Sequence, residues 1–164
     1  MKRWMRNALL LSLVMAGCES GTAVVLDVTV PSSVSGPFSE GQRGVLVTTT
    51  PLGTSGSVVF CGRTLPSPLV LSQDLGLGCL GSREGTSETI RAWVEPMPAG
   101  WSGAPCSESR QFYRALGVAN ADGGPAFART PQATWAQATQ TATWKRDGSP
   151  CGGNLKAALT LAVP

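Results

Sequence analysis

The chain contains no histidine. That removes Ser-His-Asp and Cys-His catalysis, and with them the commonest metal ligand. Serine–lysine chemistry would need Lys145 or Lys156, and neither stands in a Ser-x-x-Lys spacing. Asn120, Asp122 and Asp147 could offer oxygens to calcium, but the twelve-residue calcium loop with its closing glutamate is missing. All three suit turns better, because Asn and Asp side chains bond to their own backbone. Glycoside hydrolysis needs two acids facing each other across a cleft. Ten acids permit many pairs, and their spacing selects none. No glycine-rich segment follows a strand and opens a helix, so a phosphate cradle is unsupported. These residues imply no metal and no cofactor.

The tryptophans offer recognition chemistry instead. Trp93 and Trp135 each stand, by period two, on the more polar side of a predicted strand. Arg91 and Glu95 share the face of Trp93, and Gln137 and Thr139 share that of Trp135. An exposed ring flanked by polar groups can stack on a sugar or fill a partner's pocket. We therefore expect at least one of these two rings to be exposed in a binding surface. The competing reading is that loops cover both, making a second small core. Trp101, in a loop, and Trp144 complete the set beyond the first eighteen residues.

The elements that would position these rings are strands. Alternating Val24, Leu26, Val28 and Val30 predict a first strand over Ala23 to Val30, stopped by Pro31. Further strands are predicted over Val45 to Thr50, Ser57 to Cys61, Leu69 to Leu71 and Glu88 to Glu95. Gln111 to Val118 reads as another, with a helical turn as its alternative. The Thr-rich stretch Thr134 to Trp144 reads as a strand, with a helix as its alternative because alanine is common there, and Leu155 to Val163 as the last strand, antiparallel to it. Gly (20) and Pro (12) punctuate the whole, and no helix-period segment follows residue 17. The expected fold is an all-β, antiparallel two-sheet β-sandwich of seven to eight strands. The strand spacing is similar to that of immunoglobulin-like and transthyretin-like domains, an architectural likeness without a shared motif.

The chain opens differently. Lys2, Arg3 and Arg6 precede an apolar run, Ala8 to Ala16, broken by Ser12. A basic start, a short apolar stretch and small residues form an export signal. It is shorter than the ~20 apolar residues that span a bilayer. Its end, Met15-Ala16-Gly17-Cys18, resembles the lipobox of bacterial lipoproteins, with Met15 where leucine is usual. The resemblance implies diacylglycerol on the Cys18 sulfur, cleavage before Cys18, acylation of the new terminus and attachment to the envelope membrane. Glu19, where aspartate favours inner-membrane retention in enterobacteria, leans toward the outer membrane. The expected organisation is a signal peptide (1–17), a short tether carrying lipidated Cys18 (18–22) and one domain (23–164).

With Cys18 so used, Cys61, Cys79, Cys106 and Cys151 remain. An even number in an exported chain reads as two disulfides. Of the three possible pairings, joining sequential cysteines gives Cys61–Cys79 and Cys106–Cys151. The 164-residue chain less its first 17 residues leaves 147, enough for one domain with a sizeable core. Three of its 13 Lys and Arg lie in that leader, leaving 10 against 10 Asp and Glu. A neutral domain has no basic footprint for nucleic acid. The sequence therefore leads to a lipid-anchored envelope protein that binds or supports an envelope protein or a glycan and performs no catalysis. Two alternatives stand beside it: a small hydrolase using a carboxylate pair, and an accessory subunit of an envelope complex.

Overall fold

The computed structural model describes residues 21–49, 57–71, 78–97 and 130–164. The leader, Cys18, Trp101, Cys106, Asn120, Asp122 and the predicted strand Gln111–Val118 lie outside these residues. The described chain is all-β. Its strands are β1 (Thr22–Thr29), β2 (Gly44–Thr48), β3 (Ser57–Gly62), β4 (Leu69–Leu71), β5 (Ser87–Pro96), β6 (Gln137–Arg146) and β7 (Gly153–Thr160). One 3-10 turn, Gly81–Arg83, interrupts the segment before β5.

The expected antiparallel two-sheet sandwich is corrected here. The strands form one seven-stranded mixed sheet, in the order β3-β2-β5-β6-β7-β1-β4, nearly closed into a barrel. Five neighbouring pairs are antiparallel, but β1 runs parallel to β7, from Thr22↔Gly153 to Thr29↔Thr160. Alternation within each strand fixes which face is buried but says nothing about which strand lies beside it. The hairpin of β6 and β7 is antiparallel, as expected, and keeps one register throughout. Trp144 faces Leu155, and seven residues away on both strands Gln137 bridges Ala162.

The inner face supplies the core. Val24, Leu26 and Val28 of β1 meet Leu46 of β2, Ile90, Ala92 and Val94 of β5, and Leu155, Ala157 and Leu159 of β7. Each fully buried Val, Leu or Ile contributes roughly 1.5–3 kcal/mol of transfer free energy. A register shift between Leu46 and Val47 marks a bulge against β3. The extra residue brings Val59 and Phe60 in succession into contact with the core. Phe60 meets Phe38 with ring centroids 5.9 Å apart. Phe38 holds φ at 67°, a left-handed backbone uncommon for a bulky side chain, and its ring packs on the core in that conformation.

The strand directions give the barrel two ends. One end gathers the start of β1, the β6–β7 turn (147–152) and the Gly78–Thr86 segment. It is fastened by the Cys79–Cys151 disulfide and by hydrogen bonds from Leu80 N to Cys151 O (2.8 Å) and from Thr22 N to Gly78 O (3.1 Å). Gly153 lets these pieces close up: a Cβ there would stand 2.6 Å from Leu80 Cδ2 and 2.9 Å from Lys145 O. The opposite end holds the β1–β2 connection, the β3–β4 loop, the start of β6 and the residues after β7.

The disulfide overturns both expected pairings, Cys61–Cys79 and Cys106–Cys151. The sheet order explains why. β7 lies beside β1, so the turn before β7 sits against the segment that caps β1, while Cys61 sits on β3 at the far edge of the sheet. Cys61 is also disulfide-bonded. With Cys79 and Cys151 joined to each other, the sequence leaves it Cys18 or Cys106.

Candidate functional site

The outer face of β3, β2 and β5 carries the residues that sequence reasoning singled out. Register places Val45 beside both Cys61 and Glu95, and Val47 beside Trp93. Val45, Val47, Cys61 and Trp93 form a second buried cluster, flanked by the partly buried Met97 and Trp135. Cys61 Sγ lies 3.7 Å from Met97 Sδ. The two candidate rings are thus brought to one place.

Their exposure differs. Trp93 is fully buried, which rules it out as a stacking platform. The acid that made its flank look solvated, Glu95, is itself 2% exposed. Trp93 Nε1–H donates to Glu95 Oε1 at 2.8 Å. Each group answers the other's need, since a buried indole N–H wants an acceptor and a buried carboxylate wants a donor. This pairing was missed at the sequence level. Its signal was present: an acid two residues from a tryptophan, on the same strand face.

Trp135 is half-buried and lies just before β6, on the rim of the cluster. The turn that holds it is closed by Trp135 N to Gln132 O (3.1 Å), and Val94 N to Ala136 O (3.1 Å) lays the segment along β5. Beside it, Arg91 Nη2 donates to Gln137 Oε1 at 2.6 Å. Gln137 Nε2 reaches Gln132 O at 3.4 Å. Thr139 follows on the exposed face. A half-open indole bordered by a guanidinium and an amide suits a neutral polar ligand, which it would hold by stacking and hydrogen bonds.

Among the described residues the carboxylates are each engaged. Asp27 accepts from Ser67 Oγ, Glu88 from Trp144 Nε1, and Glu40 from Gln42 Nε2. Glu84 accepts from Arg146 through Nε (3.0 Å) and Nη2 (2.5 Å), and this pairing raises the Arg146 pKa above its ordinary value. Asp147 accepts from Ser149 Oγ (2.7 Å) and Ser149 N (3.0 Å). These bonds hold its pKa below the ordinary aspartate value, the side-chain bond counting most. That is the turn-forming role expected of Asp147. None of these hydrogen bonds joins two acids.

Among the described residues no group of three or more Cys, Asp or Glu could hold a metal ion, and no helix is long and apolar enough to cross a membrane. No protein family, curated protein or solved structure matches this chain.

Proposed function

We propose that this is a lipid-anchored protein of the bacterial envelope, more specifically of the outer membrane, whose β-domain binds a partner or serves a structural role without catalysis. The observation that carries the reading is the Met15-Ala16-Gly17-Cys18 segment, four residues ahead of the first strand. The Cys79–Cys151 disulfide supports it, since such bonds persist in oxidising compartments outside the cytoplasm. A second bond, Cys61–Cys106, follows once Cys18 carries lipid. The sandwich likeness is kept in one sense: β3, β2 and β5 bury their inner residues in the same core as β7, β1 and β4.

The binding surface in this reading is the rim formed by Trp135, Arg91, Gln137 and Thr139, and its ligand is an envelope protein or a glycan. Trp93 supports that rim from beneath. Expression of the full chain in a bacterial host tests the anchor. The purified protein should begin at Cys18 and carry the mass of acyl chains, and Cys18→Ser should appear as uncleaved precursor or leave the membrane fraction. An unmodified Cys18 at full length, in membranes, refutes the reading.

A further inference from the structure

The described fold starts almost at the acyl site, which restricts how the barrel can sit on a bilayer. Three residues, Glu19 to Gly21, separate Cys18 from Thr22, and the four Cα–Cα steps reach at most ~14 Å. Thr22 is not a loose end. It is 1% exposed, is aligned with Gly153 of β7 and donates its N–H to Gly78 O. The attachment point is therefore rigidly part of the end closed by Cys79–Cys151. The eight residues of β1 then carry the chain ~25 Å away toward the opposite end, farther than the tether reaches.

A second observation comes from charge. Lys145 and Lys156 are the only lysines after Lys2. Both are exposed on the outer face near this same end. Lys145 is aligned with Asn154, one residue from Gly153, and Lys156 with Val25 of β1. Arg146, paired with Glu84, lies beside them. Cations placed near an acylated terminus face the anionic headgroups that attract them.

From these features we infer that the disulfide-closed end is the membrane-facing surface, with Lys145 and Lys156 directed at anionic lipid headgroups. The β1–β2 connection and the Trp135 rim then point away from the bilayer. This orientation rests on the lipid-anchor reading above. It makes an ordered claim: shielding by lipid is greatest at Lys145, less at Lys156 and absent at the far end.

The test uses the full-length acylated protein in nanodiscs of phosphatidylcholine and phosphatidylglycerol. An amine-reactive acetylating reagent reports on each lysine by mass spectrometry. Ser33→Lys, at an exposed site in the β1–β2 connection, supplies a far-end amine. Cys18→Ala protein with the same nanodiscs is the reference. The expected result is a severalfold loss of labelling at Lys145, a smaller loss at Lys156 and none at the Ser33→Lys amine. If acyl mass is present but both lysines label as in the reference, or the far-end amine is shielded instead, the orientation is overturned and the anchor stands. Absence of acyl mass overturns the anchor, and the orientation with it.

Discussion

Removing the Cys79–Cys151 bond, as Cys79→Ala with Cys151→Ala, tests how the fold is held. The double substitution avoids a stray thiol that could exchange with the disulfide at Cys61. The bonded residues are 72 apart in sequence, so the bond removes the freedom of a long loop from the unfolded chain. Loop-closure entropy for that length corresponds to about 4 kcal/mol at 25 °C. The same end keeps hydrogen bonds Leu80 N–Cys151 O and Thr22 N–Gly78 O, and the fully buried Leu80 side chain, so native contacts should survive. Urea unfolding followed by tryptophan fluorescence should therefore show a loss of about 2–4 kcal/mol, a large share of a typical domain's 5–15 kcal/mol. The denaturant slope should rise, because an uncrosslinked chain exposes more surface when unfolded. A loss under about 1 kcal/mol with an unchanged slope would refute the reasoning, since the bond would then not be restricting the unfolded state.

The two tryptophans should part company on substitution. Trp93→Ala should cost about 3–5 kcal/mol, as removal of a buried aromatic does, whereas Trp135→Ala should cost less than about 2 kcal/mol. Iodide quenching should be greater for Trp135 than for Trp93, and equal protection of both rings would remove Trp135 as a contact residue. Asp147 should titrate below the usual aspartate range in an NMR pH series, and Ser149→Ala should move it upward. Because its folded-state pKa is depressed, its contribution is present above the unfolded-state pKa and is lost as pH falls through the folded value. Fraying of the 147–152 turn should therefore appear only in acid, and a turn already open at neutral pH would contradict the assigned bonds.

Strand positions were legible because period two combined with β-branched residues leaves little choice. Val24, Leu26 and Val28 point inward as alternation requires, as do Ile90, Ala92 and Val94, and Leu69–Leu71 has the expected bounds. The last strand was expected to run to Val163, but that side chain is 47% exposed and β7 ends at Thr160. Closure of the sheet was not legible. Which strand meets which is decided by non-local packing, and nothing local in Thr22–Thr29 announces a parallel neighbour in Gly153–Thr160. The wrong disulfide pairing followed from that gap, since proximity in sequence stood in for proximity in the sheet. Trp93 was misplaced for a different reason. Polar neighbours suggest solvent, whereas Glu95 lies buried on the same outer face as Trp93 and receives its indole N–H.

The parallel contact between β1 and β7 also sets an order of events. Of the described strands β1 is made first and β7 after all the others, whether the chain leaves a ribosome or crosses a membrane amino end first. Until Gly153–Thr160 arrives, β1 has only the three residues of β4 to pair with. β1 thus waits, half-paired, for the last of the described strands. Folds dominated by such distant pairings form slowly and leave unpaired edges open to aggregation meanwhile. Loss of Gly153–Thr160 would leave β1 and β6 each short of a neighbour, so closure of the sheet waits on β7 rather than building up from β1.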